Sequence, residues 1–332
     1  MKPLLTVPLP TAYGGACSGC HEGVAAAYRL SGDLTAFYGS GAIADRPSLD
    51  DVSAMGISCQ TCHDSHSADN PGQLRTVADV QLVAANGETP IITDGGVGKL
   101  CMQCHHARRS GDNQVVDGYA HFGPHGSPQA DMMASESAYQ AVAPADFVWA
   151  DPSHLKVQNS CKTCHINMVE YDGTTAVTGH TFEPTVEACA NCHGTINNFR
   201  DIMALEDFDG NGTIGGVQDE VEGLMAYLEE ALNDSFATAG LDPTADDWDL
   251  IHELGIVTHY PDVNDSTNTF DVPIEWREAG YNLAFTSDDK SLGIHNPDYA
   301  IQILQQSINY LTGTLPSAMI VSNDQTQTVA KW

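Results

Sequence analysis

One five-residue pattern uses every cysteine in this chain, and no other feature constrains the fold as tightly. The ten cysteines form five pairs of one spacing, each followed by histidine: Cys17 and Cys20 with His21, Cys59 and Cys62 with His63, Cys101 and Cys104 with His105, Cys161 and Cys164 with His165, and Cys189 and Cys192 with His193. At this chain's cysteine and histidine frequencies, chance predicts about 0.01 such patterns in a sequence of this length. The patterns start at 17, 59, 101, 161 and 189, so the intervals are 42, 42, 60 and 28 residues. That is a repeat of chemistry more than a regular solenoid.

The spacing has a chemical reading. Two thiols three positions apart add to the two vinyl groups on one edge of a haem, and the next histidine is held beneath the iron as its proximal ligand. Zinc ribbons pair their Cys-x-x-Cys units two by two, and five is odd. Disulfides need no histidine after each second cysteine. The ten cysteines are therefore read as covalent haem attachment points, and His21, His63, His105, His165 and His193 as proximal ligands to five haems.

The rest of the chain suits that load. Of 332 residues, 42% are apolar but only 7% aromatic, and 46 are Gly or Pro, which leaves few large side chains for a conventional core. Haem can supply the missing apolar bulk, with the polypeptide wrapping it mostly as coil and short helices. A hairpin is predicted over 77–93, turning at Asn86-Gly87. Amphipathic helices are predicted over 217–232, 274–285 and 297–312, the last opening on Pro297 at a first helical position. All cysteines precede residue 193. Two domains are expected: a pentahaem segment over 1–200 and a haem-free, acidic, helical lobe over 201–332.

Net charge is −31, with 20 acids against 10 bases in residues 1–200 and 24 against 3 in residues 201–332. Such a surface repels nucleic acid and anionic membranes. No apolar run approaches the roughly 18 residues that a membrane-crossing helix needs. The opening stretch Met-Lys-Pro-Leu-Leu-Thr-Val-Pro-Leu-Pro lacks the apolar core of a secretion signal.

Nine histidines remain once the five proximal ones are set aside. An electron carrier occupies both axial positions of each iron, so five distal ligands are needed. His66 follows its own motif too closely to reach the far face of the same haem and is placed for a neighbour. His154 and His180 lie seven and nine residues ahead of the fourth and fifth motifs, again placed for a neighbouring haem. His125 sits in a Gly/Pro-rich loop, and His295 immediately precedes a predicted helix. These five are the distal candidates. His121 and His259 are reserves, and His106, beside a proximal ligand, is not expected to be axial. Met55, Met132, Met133 and Met168 are more simply gap-fillers than sulfur ligands.

The stretches Gly-Ile-Ser-Cys-Gln-Thr-Cys-His-Asp-Ser-His-Ser, Leu-Cys-Met-Gln-Cys-His-His-Ala-Arg-Arg, Gly-Pro-His-Gly-Ser-Pro-Gln-Ala-Asp-Met, Gly-His-Thr-Phe-Glu-Pro and Gly-Ile-His-Asn-Pro-Asp-Tyr-Ala resemble those of large bacterial and archaeal multihaem c-type cytochromes. That group includes secreted and outer-surface members, some of which polymerise into filaments. The resemblance implies a multihaem cytochrome c fold: coil, short α-helices and a minor β-hairpin around a chain of haems, with an α-helical haem-free lobe at the C-terminal end. It implies haem attachment outside the cytoplasm, hence an extracellular, cell-surface or periplasmic place. It also implies distal roles for His66, His125, His154, His180 and His295. One departure stands out: Asp33 lies where the resemblance implies a histidine near Ser31-Gly32, so the first haem lacks an obvious distal ligand.

A second metal is suggested by Asp207, Asp209, Asn211 and Thr213, which fall at positions 1, 3, 5 and 7 of an EF-hand-type loop, with Gly212 at the turn. Position 12 is Gln218, not Glu, so Asp219 or Glu220 is expected to close the site, Glu220 foremost. The ion would be Ca²⁺, fixing the joint ahead of the 217–232 helix.

The expected function is electron transfer through five covalent, bis-histidine haems, one per about 66 residues of the chain. The partners are redox proteins or extracellular acceptors, and copies of the chain itself in a filament. A soluble shuttle is the alternative. A multihaem nitrite or hydroxylamine oxidoreductase is the rival class. That rival needs an open axial site, and no Cys-x-x-Cys-Lys variant is present.

Overall fold

The computed structural model describes residues 19–32, 56–83, 88–113, 122–140, 147–171, 175–245, 250, 258–259 and 269–316. In chain order the helices are α1 (Gly23–Leu30), α2 (Cys59–Cys62), α3 (Lys99–Met102), α4 (Gln129–Ala134), α5 (Cys161–His165), α6 (Val186–His193), α7 (Val217–Thr238), α8 (Ile274–Asp289) and α9 (Pro297–Thr312). Among the described residues three two-stranded sheets form: β1 (Val80–Gln81) with β2 (Ile91–Ile92), β3 (Met168–Tyr171) with β4 (Thr175–Thr178), and β5 (Thr258–His259) with β6 (Thr269–Phe270). The chain is thus mostly short helix and coil with minor β structure, as expected. The predicted 77–93 hairpin appears as β1 and β2. A second antiparallel hairpin, β3–β4, was not expected; it pairs Met168 with Thr178 and Tyr171 with Thr175.

The chain folds into two compact units of interleaved segments. One comprises 1–80, 93–104 and 158–184, the other 81–92, 105–157 and 185–332. The whole of 201–332 lies in the second, together with the fifth motif.

The first unit is built from short pieces held by polar contacts. Glu22 caps α1 by accepting from the amides of Val24 and Ala25 at 2.9 and 2.6 Å. The buried Thr61 of α2 donates its hydroxyl to the Gly23 carbonyl of α1 at 3.1 Å. Gly98, at the start of α3, runs against the approach to α5: a Cβ there would stand 2.7 Å from the Asn159 carbonyl oxygen, so only glycine allows the two segments this close.

The second unit has a conventional core. Along α7, Val217, Val221, Leu224, Leu228, Leu232 and Phe236 are all buried, and their three- and four-residue spacing puts them on one face. That face packs on α8 and α9, where Tyr281, Phe285, Tyr299, Ile301, Ile303, Leu304 and Ile308 complete the core. α7 runs to Thr238 and α8 to Asp289, beyond the predicted ends, and α9 has the predicted bounds. Helix α9 is not amphipathic in its setting: every residue from Tyr299 to Ile308 is buried. Its polar residues meet main chain. Gln302 accepts from the Ala150 amide at 2.7 Å and donates to the Val148 carbonyl at 3.0 Å, and Gln305 donates to the Phe208 carbonyl at 3.4 Å. A buried helix that satisfies loop groups in this way acts as a post to which irregular segments are tied.

Candidate functional site

The cysteine motifs sit in helical turns, and this explains their spacing in three dimensions. α2, α5 and α6 contain or begin at Cys59, Cys161 and Cys189, and α3 contains Cys101. In a helix, residues i, i+3 and i+4 share a face, so in α5 and α6, which contain their whole motifs, both thiols and the following histidine share one side; in α2 His63 follows the helix as an extended residue, and α3 ends before Cys104. The nine described cysteines form no disulfide with one another. Cys17 lies outside the described residues.

Two of the distal candidates stand opposite proximal histidines. The His63 and His180 rings are 6.2 Å apart between centroids, both within the first unit. The His154 and His193 rings are 6.1 Å apart, both within the second. Two imidazoles on opposite sides of one metal, each with a bond of about 2.0 Å and a ring centroid about 1.1 Å beyond its nitrogen, have centroids about 6.2 Å apart. Both pairs therefore stand at the separation that one iron held between them would require. Burial lowers the pKa of both His154 and His193, which favours the neutral imidazole that binds metal.

The second ring nitrogen of several histidines is held by the protein. Nδ1 of His63 donates to the Gly72 carbonyl at 2.6 Å, that of His154 to the Ile294 carbonyl at 2.5 Å, and that of His165 to the Phe182 carbonyl at 2.9 Å. Nδ1 of His105 lies 3.2 Å from Gln129 Oε1. Such bonds set the tautomer that leaves Nε2 for a metal and fix the ring's orientation.

The other candidates are placed differently. His66 is exposed on the turn after the second motif, its amide bonded to Asp64, and is not brought to a proximal ring. His125 is exposed, with a left-handed backbone at φ 70°. Nδ1 of His295 faces Asp289 Oδ1 at 2.7 Å. His106 turns its Nδ1 to the Ala107 carbonyl at 2.8 Å, and Met132 and Met133 are buried in the second unit. His121, the side chain of His259, Met55, the side chain of Met168 and Asp33 lie outside the described residues.

In the first unit the motifs converge. The Cys104 thiol is hydrogen-bonded with that of Cys20, and this contact, with burial, pushes its pKa up. Cys101 is raised by a hydrogen bond with Cys161, by burial and by the nearby Cys161 and Cys62 thiols. Arg29 holds two of these motifs together: Nε donates to the Gly19 carbonyl at 2.9 Å, and Nη2 reaches the Gln103 carbonyl at 2.8 Å and Cys104 Sγ at 2.9 Å. No spacing rule links residue 29 to residue 104.

The acidic loop also gathers its groups. One carboxylate oxygen each from Asp207, Asp209 and Glu220 lie within 4.8 Å of one another. Glu220 is buried and accepts from the amides of Phe208, Asp209 and Gly215 at 2.8, 3.1 and 2.7 Å. Asp207 accepts from Gly212 through Oδ2, while its Oδ1 is buried without a hydrogen-bond partner. Asn211 instead closes a turn, accepting from the Thr213 amide at 2.8 Å and donating to Asp209 Oδ2 at 2.8 Å. The replaced twelfth position, Gln218, faces elsewhere and donates to the Ser291 carbonyl at 3.0 Å. Asp219 is ion-paired with Arg200, whose hydrogen bond lowers the carboxyl's pKa.

No known family description matches the chain, and no curated protein matches it. Among solved structures it is similar to the outer cell wall cytochrome OcwA, at 16% identity and a TM-score of 0.48, covering 90% of this chain and 45% of that one. It is also similar to an undecahaem cytochrome from the S-layer of Carboxydothermus ferrireducens, at 18% identity and a TM-score of 0.49, covering 94% of this chain and 40% of that one. The chain thus spans less than half the length of either.

Proposed function

We propose that the protein transfers electrons through five covalently attached c-type haems, and that it works outside the cytoplasm as part of an extracellular conduit. The observation that carries this reading is the pair of imidazole couples, His63 with His180 and His154 with His193, at the separation a single iron requires. Haem, when bound, supplies a reversible one-electron couple. The chain's own residues do the rest. The thiols tether each cofactor edge. The proximal and distal imidazoles, His63 with His180 and His154 with His193 among them, would hold the irons from both sides, which would exclude substrates and limit reorganisation. The Gly72 and Ile294 carbonyls hold the rings. The −31 surface favours the oxidised, more positive state and so lowers potentials.

His180→Ala and His154→Ala test this. Each is expected to convert one low-spin haem to high-spin in the electron paramagnetic resonance spectrum, with five haems retained by mass. Wild-type protein with a high-spin haem at the second or fifth motif would instead favour an enzyme with an open axial site. The same reading extends to subunits of a filament, supported by one haem per about 66 residues. Electron microscopy of the detergent-free protein decides: ordered filaments support it, and single particles turn the search to a soluble shuttle and its partners.

The reading includes a structural Ca²⁺ held by Asp207, Asp209 and Glu220, with Asn211 and Thr213 shaping the loop. The buried, unpartnered Asp207 oxygen supports it. Terbium luminescence on the holoprotein is expected to show one tight site that Asp209→Asn weakens at least tenfold.

A further inference from the structure

His295 meets a different chemistry at Nδ1 from the histidines described above. His63, His154 and His165 donate to main-chain carbonyls, which are neutral dipoles. His295 Nδ1 lies 2.7 Å from a carboxylate oxygen of Asp289, and Asp289 is fully buried. The arrangement is built. Ser291 Oγ donates to the other Asp289 oxygen and accepts the His295 amide at 3.2 Å. The Asp289 carbonyl receives the Gln129 side-chain amide at 3.2 Å, and the following Lys290 turns the chain in the left-handed region at φ 63°. The imidazole is therefore fixed as an Nδ1–H donor, with Nε2 directed away from the carboxylate.

We propose that Asp289 is a potential-tuning residue, lowering the reduction potential of the haem that His295 holds relative to a haem whose axial histidine bonds a neutral carbonyl. The proposal rests on reading His295 as a distal ligand. A carboxylate partner draws the Nδ1 proton toward itself and makes the ring a stronger, more imidazolate-like donor, which stabilises the oxidised iron. Because the charge is buried, salt screens it little. Asp289 acts through the imidazole and is a positioning and tuning residue.

The test uses the five-haem holoprotein, with paramagnetic resonance and spectroelectrochemical titration as readouts. Asp289→Asn keeps the shape of the partner and removes its charge. It is expected to shift one haem's reduction equilibrium about tenfold toward the reduced form, about 59 mV for one electron, and to move one low-spin signal while four stay in place. Ser291→Ala, which frees the carboxylate to bind the imidazole more strongly, is expected to shift the same haem in the opposite direction. Asp288→Asn, removing a neighbouring charge that faces His125 and not the His295 ring, is the control, read at the haem that Asp289→Asn shifts. An equal shift there assigns the effect to net charge and overturns the proposal, as does an unshifted set of potentials in both Asp289→Asn and Ser291→Ala. His295→Ala separates the two levels: one new high-spin haem upholds the ligand reading, and five unchanged low-spin haems overturn it, leaving the Asp289–His295 contact a buried ion pair.

Discussion

Asp131 shows how much one buried side chain can matter. It is fully buried in the second unit, accepts from the Ala107 amide at 2.6 Å and is hydrogen-bonded to Ser137. Burial raises its pKa from 3.8 to about 7, against the lowering effect of those bonds. The folded state thus binds a proton that the unfolded chain releases near pH 4. The stability this confers is fully present below pH 4 and is lost as pH rises through 7, a span of about 4 kcal/mol at most. Asp131→Asn is expected to flatten the fall in stability between pH 4 and 7, measured by denaturant titration at several pH values. Residues of this kind were illegible in the sequence, because Asp131 in Pro-Gln-Ala-Asp-Met carries no mark of its burial. The candidate ligands were more legible. His154 and His180 could be named as candidates from their positions ahead of later motifs, but not matched to the rings they face. Each faces a histidine that only folding brings near.

At the scale of elements, α7 carries the second unit. Leu228 lies midway along its buried face and is completely inaccessible. Leu228→Ala is expected to cost about 2–5 kcal/mol, read as a lower midpoint in the far-ultraviolet dichroism of the holoprotein. The three long helices were visible from apolar periodicity because each must bury a stripe. The all-round burial of α9 was not, because Gln302, Gln305 and Gln306 read as a solvent face until the loops they bind are in view. The β3–β4 hairpin had a sequence signal: Asp172-Gly173 between two runs rich in Val, Tyr and Thr is the dipeptide that favours a hairpin. The helices that carry the cysteine motifs are the opposite case. Four-residue turns such as α2 and α3 are too short to be stable by themselves, and only the cysteine spacing announces them.

At the scale of the molecule, electrostatics and coordination govern behaviour. With −31 charges, most of them in 201–332, electron exchange with a basic partner is expected to slow steeply as salt rises from 20 to 200 mM, since screening at about 10 Å removes long-range steering. Stopped-flow rates with an acidic donor should rise with salt over the same range. The imidazole couples have a further consequence, mechanical rather than electronic. His63 and His180 are 117 residues apart, and His154 and His193 are 39 apart. With a metal seated between them, each couple closes a loop of that length, and each loop is a clasp across the chain. Closing a loop of about 100 residues removes about 4.7 kcal/mol of disorder from an unfolded chain. A thiol reductant that opens disulfides would leave such clasps shut. On the proposed reading the polypeptide would be laced by its own cofactors, and the second clasp could fasten only after residue 193 had been made.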